Sequence, residues 1–468
     1  MKTYELYIDG KWMKSDADRR IEVENPATRE VIGDVPRGNE ADVNRAVAAA
    51  KAAELSWAEK TPKERAVYFR KLADIIERRK DEFSAVISQE LGIPLKHAFD
   101  YHVAGGISDA RSAADIAESF PYETKLSGGI VRREPFGVVA GITPWNYPLT
   151  QATYKLFPAM AAGNTVVLKP SQNTPLCCCL LAETIDEAGF PAGVFNLVTG
   201  VGGEVGNALA AHPDVDALSF TGSTSGGIEV GKLALSTVKK LTLELGGKSP
   251  LVVLPGADLE AAAAEVCSSA FMNSGQTCCA YTRMLIPDSE KEKIEALLVR
   301  EAAKYITGDP LDERSEVGPL SSEKAFHKVC GYIRKGIEEG ARMIAGEVPQ
   351  DCSGGYYVPP VIFADVANDM TIAKEEIFGP VLCVIPYHTE AEALEIANDT
   401  PYGLAGSVFG PQEEALAFAK KIKAGFMSVN GGAGGEGMPF GGYRHSGIGR
   451  EGGIFGFEEF LEIKALCL

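Results

Sequence analysis

The 468-residue chain predicts an α/β architecture built as two successive units. Three observations carry this. From residue 137 onward, short β-type runs alternate with helical ones, the pattern of parallel strands joined by crossover helices. A second alternation begins at residue 249. Between the two, the paired glycines Gly246 and Gly247 permit a bend, which sets the boundary near 245–248.

The elements follow in order. Apolar helical periodicity is strong at 41–54 and again at 63–91, where Gly92 and Pro94 end the second helix. Strands are expected at 137–143, 165–169, 194–199, 217–221 and 241–245, with helices at 154–162, 175–189, 203–211 and 225–236. The second unit has expected strands at 249–254, 381–387, 406–409 and 427–430, and helices at 259–271 and 291–305. The glycine-rich stretch 431–437 reads as a mobile loop.

Charge and cysteine usage narrow the function. A net charge of −18 argues against a nucleic-acid partner, which needs a concentrated positive face. The N-terminus has no apolar signal core, and the uncharged run 136–154 is broken by Gly137, Gly141, Pro144 and Pro148, so no membrane span is expected. The reading is a cytoplasmic protein. None of the ten cysteines forms a CxxC pair, so a disulfide framework is not expected. The six histidines lack ligand spacing, so no metal is expected.

Several residues stand where chemistry is plausible. Cys278 lies in Gly275-Gln-Thr-Cys278, after the helix 259–271, in a tight turn that suits a nucleophile. An arbitrary cysteine is more often a buried structural one. Cys279 is its neighbour, and adjacent side chains generally point apart, so one of the two is expected to face the site. Glu244 ends an apolar strand, where burial would raise its pKa and suit it to take a proton from water. A surface glutamate at a strand end is the ordinary alternative. Asn146, between Pro144 and Pro148, offers an amide donor to an oxyanion, or is simply a turn asparagine. Lys169 closes a β-run, the place where nucleotides bind in open sheets. Gly222 and Ser223 open a helix whose N–H groups suit an anion, and Gly202 lies in a looser glycine pattern.

Together these segments resemble the aldehyde dehydrogenase superfamily, in its hydrolytic NAD(P)-dependent branch. The resemblance runs from Tyr7-Ile-Asp-Gly-Lys-Trp12 to Ser446-Gly-Ile-Gly-Arg-Glu451 and keeps the family's motif order. It implies a Rossmann-like cofactor domain (1–120 and 136–244), a catalytic α/β domain (245–440) and a small β oligomerisation arm (121–135 and 441–468). It implies a homodimer or homotetramer, because the apolar tail would otherwise be an exposed edge. Cys278 matches the nucleophile that forms a thiohemiacetal and then a thioester. Asn146 matches the oxyanion donor, and Glu244 the base that activates water. Lys155 and Glu451 match a proton relay. Trp145, Lys169, Ser171, Gln172, Gly202, Gly222, Ser223, Glu376 and Phe378 match or adjoin cofactor contacts. Tyr147, Tyr154 and Phe440 match positions at the aldehyde entrance.

One departure matters. Many NAD-preferring members carry glutamate where this chain has Gln172, and that carboxylate would repel a 2′-phosphate. NADP is therefore expected to be tolerated or preferred. No arginine beside Cys278 argues for a dicarboxylic semialdehyde, although Arg283 is near in sequence. Two other readings stay open. A coenzyme A-acylating enzyme would not need Glu244. A non-catalytic protein on the same scaffold would be expected to have lost one of Cys278, Glu244 and Asn146.

Overall fold

The computed structural model describes residues 2–435 and 437–468. Its two large sheets follow from the two alternations. The first has eight strands in the order Gly447–Ile448, Lys240–Glu244, Ala217–Thr221, Val138–Ile142, Thr165–Lys169, Phe195–Leu197, Leu6–Ile8, Lys11–Met13. The five central strands are parallel, and antiparallel pairs close both edges. Val138–Ile142, Thr165–Lys169 and Ala217–Thr221 are buried along their whole length, as expected of a sheet covered on both faces.

The second sheet has seven strands: Arg342–Ala345, Val361–Ala364, Val381–Tyr387, Tyr281–Pro287, Ser249–Val253, Ala405–Phe409, Phe426–Val429. All neighbours are parallel except the first pair. Three of these strands, Tyr281–Pro287, Arg342–Ala345 and Val361–Ala364, had no sequence expectation. Tyr281–Pro287 carries Arg283 at its middle, which breaks the apolar run, yet that side chain is fully buried. Its guanidinium donates to the carbonyls of Lys248, Ile396 and Ala397 at 2.9–3.0 Å. Arg283 is thus tied up in the fold and is not free to read a substrate carboxylate.

Three further expectations are corrected. The periodicity over 63–91 is two helices, Pro62–Arg78 and Lys80–Leu91, broken at Arg79. Thr61 forms a capping box with Glu64, which fixes the start of the first. The helix expected at 154–162 begins at Pro148, because proline suits the first helical turn. The segment 441–468 is not one arm. Gly447–Ile448 pairs with Lys240–Glu244, and Phe457 and Phe460 are buried in the core of the first unit. Only Leu461–Cys467 joins the hairpin strands Glu123–Leu126 and Gly129–Pro135, in a three-stranded antiparallel sheet. There Ile463 and Leu466 are exposed on an edge strand. Within the glycine-rich loop, Glu436 lies outside the described residues. Among the described residues no helix is long and apolar enough to cross a membrane.

Candidate active site

The chemistry-bearing residues gather where the parallel strands end. Val138–Ile142 is the first strand of the parallel set. The next two in sequence lie to one side of it and the following two to the other. Open α/β sheets bind ligands at such a reversal, outside the carboxyl ends. Asn146 follows Val138–Ile142, Lys169 closes Thr165–Lys169, Gly222 and Ser223 follow Ala217–Thr221, and Glu244 closes Lys240–Glu244.

Cys278 is carried by the loop after the helix Leu259–Phe271. That loop is strained. Asn273 and Ser274 hold left-handed backbone at φ 50° and 57°, and Gly275 follows at 70°. For non-glycine residues this costs roughly 1–3 kcal/mol each and persists only when the surroundings enforce it. They do so here. Ser274 Oγ donates to the Gly318 carbonyl at 2.9 Å, and Gln276 Oε1 accepts from Ser321 N–H at 2.9 Å. Asn273 Nδ2 donates to the Asn146 carbonyl at 2.8 Å, and Asn146 Nδ2 donates to the Gln276 carbonyl at 2.9 Å. This reciprocal pair clamps the Cys278 loop to the end of the central strand. An amide nitrogen carries two donors, so holding one to Gln276 leaves Asn146 a second to offer.

The glycines after Glu244 answer a packing demand. A Cβ on Gly247 would stand 2.7 Å from the Cys278 carbonyl oxygen, and one on Gly246 would strike the Glu376 carboxylate. Gly247 N–H donates to Glu376 Oε1 at 3.1 Å. The Glu244 strand, the Cys278 loop and Glu376 therefore meet through bare backbone. On its other side Glu244 faces Gly441, whose φ of +149° favours glycine and where a Cβ would lie 2.5 Å from Glu244 Oε1. Gly441 carries no individual expectation from the sequence. The repeated glycines around it were the available signal.

Glu244 is buried, and neither carboxylate oxygen has a hydrogen-bond partner among the described residues. Burial pushes its pKa well above the usual carboxylate range. The Glu451 carboxylate adds to this, and the Lys155 ammonium opposes it. Lys155 and Glu451 form a buried ion pair, and Lys155 Nζ also donates to Thr221 Oγ1 at 2.5 Å. The structure thus brings Glu244, Lys155 and Glu451 together from three distant parts of the chain.

Cys279 does not turn away from its neighbour. The neighbouring Cys279 thiol raises the Cys278 pKa well above its ordinary value, with burial and the Glu244 and Glu376 carboxylates adding. The same contact lowers the Cys279 thiol. Alternate facing is a property of strands, and these residues lie in a turn.

The remaining residues divide between two sides of Cys278. On one side Lys169 is buried, donates to the Pro170 carbonyl at 2.8 Å and has its ammonium pKa lowered to about 8 by burial. Ser223 caps the helix Thr224–Ala234, accepting from Gly226 N–H at 3.1 Å. Gly202 has open space where a Cβ would stand. Ser171 is half-buried and Gln172 exposed. Trp145 meets Phe378 edge-on at 5.4 Å, and Phe378 is itself left-handed at φ 63°. On the other side the Tyr147 hydroxyl and Thr277 Oγ1 are hydrogen-bonded at 2.8 Å, and the Tyr147 ring stacks on buried His102 at 4.9 Å. Phe440 exchanges backbone hydrogen bonds with Glu451 at 2.7 Å, and the Tyr154 ring packs beside Gly452.

A thiol, a buried carboxylate and an amide donor converge beside a nucleotide-type crevice, the arrangement of an α/β enzyme. Comparison with known proteins gives the family. The aldehyde dehydrogenase family model matches residues 12–466, and the chain belongs to that family. Its fold is similar to that of Aldehyde Dehydrogenase C from Pseudomonas syringae, solved as a cysteine-to-alanine variant with NAD+ and octanal. The TM-score is 0.98 at 45% identity, over 99% of this chain and 96% of that one. An aldehyde dehydrogenase of Mycobacterium tuberculosis, complexed with NAD+, gives a TM-score of 0.97 at 43% identity, over 100% and 98%. One from Bartonella henselae gives 0.97 at 38% identity, over 100% of both chains.

Proposed function

We propose that this chain oxidises an aldehyde to a carboxylic acid with a nicotinamide dinucleotide, through a thioester on Cys278. The observation that carries this is the convergence of Cys278, Asn146 and Glu244 through the mutual clamp of Asn146 with the Asn273–Gln276 loop and the close approach at Gly247.

The residues fit a dinucleotide. A helix N-terminus at Ser223, the open backbone at Gly202 and the Lys169 ammonium suit phosphates and ribose, and Glu376 suits the second ribose. When bound, the nicotinamide supplies the two-electron acceptor for the aldehyde hydrogen. The chain does the rest. Cys278 thiolate attacks the aldehyde carbon, and the oxyanion is held by Asn146 Nδ2 and the Cys278 N–H. The thioester is opened by water that gives its proton to Glu244. Glu451 and Lys155, paired behind Glu244, pass that proton on. Glu244, a buried carboxylate with no hydrogen-bond partner among the described residues, favours water over coenzyme A as the acyl acceptor.

Asn146→Ala is expected to lower kcat by about 10²–10³-fold, ~2.7–4 kcal/mol, the usual cost of one oxyanion donor. Steady-state kinetics on a short aldehyde check this; an unchanged kcat removes Asn146 from the reaction.

NAD is the cofactor bound by the P. syringae and M. tuberculosis neighbours. The exposed Gln172, in place of a carboxylate, supports use of NADP as well. The ratio of kcat/KM for the two is the test. A preference for NAD above about a hundredfold, ~2.7 kcal/mol, sinks this part of the reading.

The wider reading has three further parts. The eight-stranded sheet supports a cofactor domain over roughly 1–120 and 136–244, and the seven-stranded sheet a catalytic domain over 245–440. The exposed apolar edge of Leu461–Cys467, beside the hairpin at 121–135, supports assembly as a dimer or tetramer. A reactive thiol among ten unbridged cysteines fits a reducing, cytoplasmic setting.

A further inference from the structure

Three side chains able to bind a metal meet outside the group gathered around Cys278. Glu323 and His327 stand on the helix Glu323–Glu338, and Cys352 comes from the loop after the strand Arg342–Ala345. Each offers one ligand atom, and the three atoms lie within 4.8 Å of one another. The sequence carries no familiar signature for this trio, because the thiol arrives from a different element from the carboxylate and the imidazole.

The geometry suits a tetrahedral ion. Positions i and i+4 share a helix face, and Glu323 Oε1 stands 3.6 Å from His327 Nε2. At that distance the two are not hydrogen-bonded, so neither lone pair is engaged by the other. Oxygen and nitrogen ligands about 2.0–2.2 Å from a tetrahedral zinc ion lie roughly 3.3–3.6 Å apart. The pair already has that separation, and the thiol reaches the third corner with a shift of about 1 Å. Glu323 Oε2 accepts from Arg29 at 3.3 Å, which orients the carboxylate and leaves Oε1 for an ion, as outer partners of metal ligands do. The Arg29 guanidinium is itself seated over the Tyr356 ring, 5.3 Å from its centre. The loop is anchored too. Gly355 N–H donates to the Cys352 carbonyl at 3.2 Å, and Tyr356 N–H donates to the Pro26 carbonyl at 3.1 Å.

The donor set narrows the ion. Magnesium and calcium take oxygen ligands, whereas a thiolate with an imidazole suits zinc. Cys352 is unbridged and half-buried, while Glu323 and His327 are exposed, so an ion can enter from solvent and water can fill the fourth corner. We propose that Glu323, His327 and Cys352 form a zinc site that ties the loop 346–360 to the helix Glu323–Glu338. The Cys352 thiol releases its proton to solvent as the sulfur–zinc bond forms, and His327 binds through neutral Nε2. Nothing in this depends on the aldehyde-oxidising reading.

The test is calorimetric titration of zinc into the reduced, full-length Cys278→Ala protein, a background that removes the proposed nucleophile as a competing ligand. One equivalent is expected to bind with a Kd of about 10 μM or tighter. Cys352→Ser and His327→Ala are each expected to weaken that binding at least about tenfold. Cobalt(II) is the second probe. In the same background it is expected to give a thiolate-to-cobalt charge-transfer band and the d–d bands of a tetrahedral ion, and Cys352→Ser is expected to remove the charge-transfer band. Absence of stoichiometric zinc binding overturns the proposal, as does a parent cobalt spectrum without the charge-transfer band. Zinc binding that either substitution leaves unchanged also overturns it, because that marks adventitious ligation elsewhere on the chain. A charge-transfer band that survives Cys352→Ser has the same consequence.

Discussion

Cys278→Ala is expected to cut turnover by at least about 10⁴-fold, ~5 kcal/mol or more, with cofactor binding retained. In the proposed reaction the thiol forms the first bond, so no neighbouring group replaces it in place. Cofactor binding survives because Lys169, Ser223 and Glu376 reach the crevice from other elements. Equilibrium titration of cofactor fluorescence separates the two effects. Cys279→Ala is the companion. It removes the neighbouring thiol that raises the Cys278 pKa, so thiolate is expected to form at lower pH. The pH of half-maximal alkylation by iodoacetamide should fall. If Cys279→Ala abolishes turnover and Cys278→Ala does not, the assignment of the nucleophile is wrong.

The second large effect is at Glu244. Glu244→Gln is expected to lower steady-state kcat by about 10²–10⁴-fold, the usual worth of a positioned base. In the proposed reaction the loss falls on hydrolysis of the thioester, which follows hydride transfer. A stoichiometric burst of reduced cofactor should therefore remain after the steady state has collapsed. Loss of the burst along with the steady state would place Glu244 before acylation. The pH dependence has a definite sign. Water activation needs the carboxylate, and burial beside Glu451 raises the pKa of Glu244. The protonated, inactive form therefore persists above the ordinary carboxylate range, and deacylation rises with pH through that raised pKa. Glu244→Gln should flatten this limb of the profile.

Much of this arrangement was legible in the chain. Strands end where apolar β-runs meet glycine, proline or a charge, so Asn146, Lys169, Gly222 and Glu244 could each be put at a carboxyl end, where open sheets bind ligands. The two alternating patterns anticipated two sheets, because crossover helices and parallel strands have distinct periods. Local signals failed where tertiary burial overrides them. Tyr281–Pro287 hides an arginine whose charge is met by carbonyls from residues more than a hundred positions away. Arg79 divides a continuous periodicity without glycine or proline. The tail 457–468 reads as one apolar segment, yet Phe457 and Phe460 are core and its last strand is an exposed edge.

By itself the sequence determined which residue types stand at the strand ends, and in what order. Composition, periodicity and motif spacing are local properties, and they survive without a fold. Only the tertiary structure decided what each group feels. Glu244 is perturbed because the fold buries it and brings the Glu451 carboxylate beside it against the opposing Lys155 ammonium, with Gly441 leaving it room. The Cys278 thiol is raised because Cys279, burial and the Glu244 and Glu376 carboxylates all bear on it. Electrostatic energy depends on distance and dielectric, and folding sets both.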